Sequence, residues 1–413
     1  MQKLRADIVN RIFSAGLDIV ESQIAGATYN HSLRLAVLAC ETGKRLGYGQ
    51  EQLLVIETAA LFHDNSLSRY LTAPGGKQTD LKLLREHCEI GARNLSWLPF
   101  SKEVCEIVLN HHERADGSGA FGKHKGEYSR PAAIVSLIDY LDVTYHLQTH
   151  PPNSAPLLKD IVRCAASKGF DKEDTDIFAD ILDEDMLLSL KDDKISRSFH
   201  SAAPQWTVDM EDETIYSVGE MFSKIIDFKS HFTNTHTKRI ANAVWIMGKY
   251  YGYDNTTLNK LFLAASLHDI CKLLIPTDIL EKPDKLTKEE YAVMKHHMDR
   301  TYEILSAIPD FEDAALWAAN HHEKLAGGGY PEGKTAEDLD FNSRLMACTD
   351  IWEALTAHRP YQKTFYGHGR ALEIMRDMAD KNFIDPAIVS DIDKVLLKYD
   401  GKKIPNPSGH YNY

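Results

Sequence analysis

Two tetrapeptides decide how this chain is read: Leu61-Phe62-His63-Asp64 and Ser266-Leu267-His268-Asp269, each a His-Asp step closing an apolar run. They lie 205 residues apart, and the same spacing separates HSLRLA, beginning at His31, from HTKRIA, beginning at His236. Further along, EHCEIG around His87 answers KHHMDRT around His297, and NHHE at His111, His112 and Glu113 returns at His321, His322 and Glu323, both shifted by 210. AAIVSLIDYLD and SRLMACTDIWE then set Asp139 against Asp350, a shift of 211. Five blocks in one order at a nearly constant offset make a tandem duplication, and a repeat of this length means two similar domains, not a solenoid.

Working outward, the 413 residues exceed the ~250–300 at which one hydrophobic core stops growing. Hydrophobic residues make up 43%, so each half can bury a core. Ile240, Ala243, Val244 and Met247 recur at helical spacing, and KEEYAVMKHHMDRTYEIL reads as a second amphipathic helix after a Thr287 cap. No run alternates with period two over a strand's length, so the expected class is all-α, with five to seven helices around the core of each repeat. Residues 151–213 open on HPPNSAP, carry two helical patterns (LLKDIVRCAASKG and KEDTDIFADILDEDMLLSL) and are acidic, and they read as the end of the first domain plus a connector. The tail after Asp400, GKKIPNPSGHYNY, reads as frayed.

With 47 basic against 60 acidic residues the net charge is −13, which argues against a non-specific nucleic-acid binder and gives the expectation of no DNA partner. No stretch has the ~20 apolar residues of a membrane span, and MQKLRADIVNRIF lacks the apolar segment of a signal peptide, so a cytoplasmic location with no membrane partner is expected. Six scattered cysteines without a CxxC pair fit reduced thiols.

The repeated residues share one chemistry. In the second copy they are His236, His268, Asp269, His297, His321, His322 and Asp350; in the first, His31, His63, Asp64, His87, His111, His112 and Asp139. Imidazole and carboxylate suit zinc, iron, manganese or nickel, and seven ligands exceed what one ion takes, which points to two ions per site. An adjacent His-Asp step lets the carboxylate lie between them. The neighbouring His321 and His322 would point about 100° apart on a helix, so they can serve one ion only at a helix end or between helices.

HxxR, then HD, a His after MK, HHE and a late Asp together resemble the HD-domain metal-dependent phosphohydrolases. HDICK, IPTDILEKPDKLTKEEYAVMKHH, HHEKLAGGGYPEG and DIWEALTAHRPY further resemble the HD-GYP subfamily, bacterial phosphodiesterases of cyclic dinucleotide second messengers, over residues 230–365. The first copy matches the ligand pattern alone, over residues 25–146. The resemblance implies two tandem HD-type helical bundles: residues 1–205, a degenerate and regulatory domain with the acidic connector, and residues 206–413, the catalytic domain. It implies that His236, His268, Asp269 and Asp350 hold one ion and His297, His321 and His322 the other, with Asp269 bridging, the ions being iron or manganese. Some members carry a further Glu one turn before the first His; Phe232 stands there, so two metals are expected and not three. The implied reaction opens one 3′,5′ bond of cyclic di-GMP or 3′3′-cyclic GMP-AMP to a linear dinucleotide, using a hydroxide activated between two cations. Lys272 is then the residue that stabilises the phosphate and helps the leaving oxygen, and Arg359 and Tyr330 contact substrate.

Departures from the pattern are Cys271 for Gly in HDxGK, Ala326 for Asp before the glycines, and Gln362 with Lys363 after RPY. The first copy has Leu67 at the position of Lys272 and Gly119-Ala120-Phe121 instead of Gly-Tyr-Pro, so it is expected to bear metal through its seven ligands but to be catalytically weak. Expected partners are the cyclic dinucleotide, the other HD domain of the chain, and a second copy in a homodimer. Two other classes compete: an HD hydrolase of nucleoside monophosphates or (p)ppGpp, against which the GYP and RPY motifs stand, and a non-enzymatic signalling scaffold, against which the seven retained ligands stand. An acidic chain repels an anionic dinucleotide, so local positive charge must come from the metals, Lys272 and Arg359.

Overall fold

A computed structural model describes residues 3–5, 28, 30–66, 81–96, 101–204, 207–209, 212–229, 236–280, 282, 284–306, 311–357, 366–400, 402, 404 and 405. Leu67, Phe232, Arg359, Gln362 and Lys363 lie outside them. By packing, the chain divides into Arg5–Thr207 and a second unit of Val208–Tyr413 with Met1–Leu4.

The elements run β1 (Lys3–Arg5), α1 (His31–Arg45), α2 (Gln50–Phe62), α3 (Leu81–Asn94), α4 (Ser101–Asn110), α5 (Arg130–Tyr145), α6 (Ala155–Cys164), α7 (Lys172–Ile181), α8 (Glu184–Ser189), α9 (Ile195–Ala202), β2 (Thr207–Asp209) and α10 (Asp212–Lys229). They continue with α11 (His236–Tyr250), α12 (Asn255–Leu267), α13 (Thr277–Leu280), α14 (Lys288–Ser306), α15 (Glu312–Ala319), α16 (Phe341–Thr356), α17 (His368–Asp380) and α18 (Pro386–Leu396). The helical expectation is borne out; its one exception among the described residues is the pairing of β1 with β2, three residues each, too short for a period-two pattern to register.

Local chemistry sets the helix starts. Asp254, Asp340 and Asp183 cap α12, α16 and α8 by accepting from Thr257, Ser343 and Met186 backbone N–H, each cap worth about 1 kcal/mol. Thr287 caps α14 reciprocally, its hydroxyl accepting from Glu290 N–H at 3.2 Å while its own N–H donates to Glu290 Oε2 at 2.7 Å.

The predicted stripe of Ile240, Ala243, Val244 and Met247 is fully buried, where α11 packs on α12 and α16. In the first unit α1 packs in the same way on α2 and α5. Most of the acidic segment belongs to the first unit. Its second helical pattern breaks at Leu182, with Asp183 starting α8, and Phe178, Leu182, Leu190, Ile195 and Phe199 are buried, with α7 and α9 packed against α1. The acidic residues form the outer face of a layer whose inner face completes the first core. The tail also departs from expectation at one point: Ile404 is buried and its carbonyl accepts from Asn242 Nδ2 at 3.3 Å.

Candidate metal centres

In the second unit most of the repeated histidines stand at helix ends. His268 closes α12, and His321 and His322 follow the last turn of α15, the arrangement that lets adjacent residues converge; their ring centroids are 4.0 Å apart. The last carbonyls of a helix lack intrahelical donors, and these histidines supply them: His268 Nδ1 donates to Ala265 O at 2.7 Å and His321 Nδ1 to Ala318 O at 2.6 Å. His297, within α14, donates likewise to Met294 O. Each bond fixes the tautomer with the proton on Nδ1, leaving Nε2 as a lone pair.

Those lone pairs point into a common space. Nε2 of His268 and of His297 and Oδ1 of Asp269 are buried without a hydrogen-bond partner, a condition that costs about 1–3 kcal/mol per atom and that a cation relieves. His236, His268 and Asp350 bring one ligand atom each within 4.8 Å of one another, and so do His297, His321 and His322. Asp269 lies between: Oδ2 is 3.3 Å from His268 Nε2 and 4.0 Å from His236 Nε2, while Oδ1 is 3.6 Å from His297 Nε2 and 3.9 Å from His321 Nε2. One carboxylate thus offers one oxygen to each histidine group. The residues present fit two cations.

The electrostatics agree. Burial pushes the Asp269 carboxyl up, but His268 and Lys272 outweigh it and hold it well below the usual range. Burial likewise opposes ionisation of Asp350, and the neighbouring His236 outweighs it, holding the carboxyl well below its usual range. Burial drives His322 down to about 3 and His321 well below its ordinary value, so both imidazoles are neutral near pH 7, the form that can donate a lone pair.

Lys272, in a short 3-10 turn (Ile270–Leu274), places Nζ 2.5 Å from Asp269 Oδ2 while its side chain stays 21% exposed. It therefore borders the centre and still faces solvent. Cys271, where the motif has Gly, is buried, and burial pushes its thiol up to about 12, so it packs and does not react.

The loop after His322 is tied down by Glu323, which accepts from Glu332 N–H at 2.7 Å and Gly333 N–H at 3.0 Å. The Glu of HHE thus anchors the loop through Oε1. Gly329 passes so close to it that a Cβ would lie 2.5 Å from Glu323 Cα. The loop lays the Tyr330 ring on His322, with centroids 4.7 Å apart.

The first unit repeats this geometry. Asp64, His87, His111 and His112 form one group and His31, His63 and Asp139 another. Asp64 Oδ1 is 2.9 Å from His87 Nε2 and 3.4 Å from His111 Nε2, while Oδ2 is 3.6 Å from His63 Nε2. His63 and His111 donate Nδ1–H to Ala60 O and Val108 O, and Ser66 Oγ takes this role for His87 at 2.7 Å. Glu113 anchors the loop through Phe121 and Lys123 N–H, and a Cβ on Gly119 would come 2.4 Å from Glu113 Cα. Ala120 stands where the second unit has Tyr330, its N–H donating to His112 O at 3.0 Å as Tyr330 N–H does to His322 O at 3.3 Å.

One pair of residues escaped the sequence reading. Glu353, three positions after Asp350, accepts from His236 Nδ1 and is itself held by Arg239 Nε at 3.0 Å. Asp142, three after Asp139, accepts from His31 Nδ1 at 2.7 Å and from Arg34 Nη2 at 2.8 Å. Glu353 and Asp142 share the 211 offset, so the repeat itself carried the signal.

Comparison with known proteins agrees with two domains of one kind. A model of the HD domain matches residues 28–144, and a second HD-domain model matches residues 220–388. The chain is 29% identical over 321 residues to the 3′3′-cGAMP-specific phosphodiesterase 3 of Vibrio cholerae, covering 76% of this chain and 68% of that protein. It is 26% identical over 389 residues to phosphodiesterase 1 of the same name and organism, covering 90% and 88%. To the cyclic di-GMP phosphodiesterase response regulator RpfG of Xanthomonas campestris it is 32% identical over 145 residues, or 35% and 38% of the two chains. The crystal structure of a Vibrio cholerae cyclic GMP-AMP-specific phosphodiesterase, V-cGAP3, shares the fold, with a TM-score of 0.65 at 21% identity over 96% of this chain and 98% of that one.

Proposed function

Since the chain carries two HD domains in tandem, we propose that its second unit is a metal-dependent phosphodiesterase that opens one 3′,5′ bond of a cyclic dinucleotide to a linear product. The observation that carries this reading is Asp269, whose two oxygens face two separate histidine groups beside a solvent-reaching ammonium. The relatives aligned over most of both chains are named for 3′3′-cGAMP, and several shorter matches for cyclic di-GMP, which makes these two the substrates to test first.

His236, His268 and Asp350 would hold one cation and His297, His321 and His322 the other, with Asp269 within reach of both; iron and manganese suit the set. When bound, such ions would supply a lowered pKa for bound water and positive charge beside a phosphoryl oxygen. The chain's own residues do the rest. The Nδ1 hydrogen bonds keep the imidazoles of His236, His268, His297 and His321 aimed inward, so no reorganisation of these is needed at reaction. Lys272 meets the phosphate at the rim of the centre and gives its proton to the departing ribose oxygen. Tyr330 covers His322 and excludes water from that side. Arg359 contributes a phosphate contact by its motif, with no geometry to add.

The first unit, by the same reading, would hold metal through its seven ligands and acts as a regulatory domain; Ala120 in place of Tyr330, and Leu67 at the position of Lys272, distinguish it from the second. The reading is tested by incubating manganese- or iron-loaded protein with a panel of cyclic dinucleotides and following linear products by chromatography. Formation of a linear dinucleotide is expected; no turnover of any member with metal demonstrably bound would sink it.

A further inference from the structure

Tyr291 lies in the first turn of α14, and its ring is 45% exposed. A single exposed ring needs no explanation, but this one is the outer member of a row. It meets Tyr330 edge-on at 6.0 Å, and Tyr330 in turn lies 4.7 Å from His322. One turn along the helix, Lys295 sets its ammonium 5.3 Å from the Tyr291 centroid. Two aromatic contacts and a cation therefore lead from solvent to a ligand of the proposed centre.

The chain contains its own control. At the 210 offset Tyr291 becomes Leu81, which is 49% exposed, and Tyr330 becomes Ala120, which is buried. Both rings are absent together from a unit that keeps the helix, the Glu-anchored loop and the close-packed glycine. The fold does not require them.

We infer that Tyr291 and Tyr330 form a stacking surface for a purine of the substrate, with Lys295 favouring the nearby phosphate. This rests on the cyclic dinucleotide reading and adds which residues grip the base. A purine presents a π-face whatever its edge substituents, so such a surface accepts guanine and adenine alike. A ligand lacking a base gains nothing from it.

The test uses full-length, manganese-loaded protein and equilibrium dialysis with guanosine 5′-monophosphate and ribose 5-phosphate, which share sugar and phosphate and differ in the base. The wild type is expected to prefer the nucleotide. Tyr291→Leu, the residue of the first unit, should weaken nucleotide binding about 10-fold and leave ribose 5-phosphate unchanged, while Tyr291→Phe retains the preference. Unchanged nucleotide binding in Tyr291→Leu, equal weakening of both ligands, or no preference in the wild type overturns the inference. Neither arm depends on turnover. A protein that hydrolysed no cyclic dinucleotide but lost its base preference with Tyr291 would keep the stacking surface and lose the activity.

Discussion

Glu353 accepts a hydrogen bond from Nδ1 of His236, so the imidazole that faces Asp350 is held from behind by a second carboxylate on the same helix. Arg239 in turn fixes Glu353. Removing such a partner of a metal ligand costs about 10–100-fold in affinity. Glu353→Ala should therefore lose metal to a competing chelator at correspondingly lower concentration, and Glu353→Gln, which keeps an acceptor oxygen, should lose less. Wild-type retention of metal by Glu353→Ala would show that the contact is packing alone.

Lys272 touches Asp269 yet remains partly open to solvent. Lys272→Met should lower kcat about 10²–10³-fold, the range for loss of a positioned proton donor or charge stabiliser, with metal content unchanged. A fall in metal content equal to the fall in rate would reassign the lysine to the architecture of the centre.

Gly329 and Gly119 have no room for a side chain, because each would drive a Cβ into the backbone of Glu323 or Glu113. Either Gly→Ala change should cost about 1–3 kcal/mol of stability, seen as a lower Tm. Gly329→Ala should also reduce turnover, since the displaced loop carries Tyr330, whereas Gly119→Ala should lower stability without that effect.

Metal removal should matter twice. The chain bears a net charge of −13, and Lys272 is held by Asp269, so without cations little positive charge faces an anionic dinucleotide. Chelated protein should lose substrate binding, measured by calorimetry, and should melt at lower temperature because Nε2 of His268 and of His297 and Oδ1 of Asp269 are left without partners. Equal affinity with and without metal would contradict the electrostatic account.

Much of this was legible in the sequence. The HD steps recur at an offset of 205 and the HHE blocks at 210, and helical spacing marked Ile240 through Met247 as core. What stayed hidden depends on long-range contact. The second nitrogen of His236 finds its partner 117 residues away, which periodicity cannot show, and the backbone donors that the HHE glutamate accepts from lie nine and ten positions on. In the acidic stretch the burial of Phe178 and Phe199 is hard to read because charge dominates the composition, while burial is decided by the few apolar residues. The pair β1 and β2 is too short to leave a pattern.

The central claim is that the second unit performs the hydrolysis. It is tested most directly by comparing turnover of 3′3′-cGAMP and cyclic di-GMP by manganese-loaded wild type with His268→Ala/Asp269→Ala and His63→Ala/Asp64→Ala. The account predicts loss of turnover beyond about 10³-fold in the first double variant and substantial retention in the second. Equal loss in both, or loss confined to His63→Ala/Asp64→Ala, would contradict it.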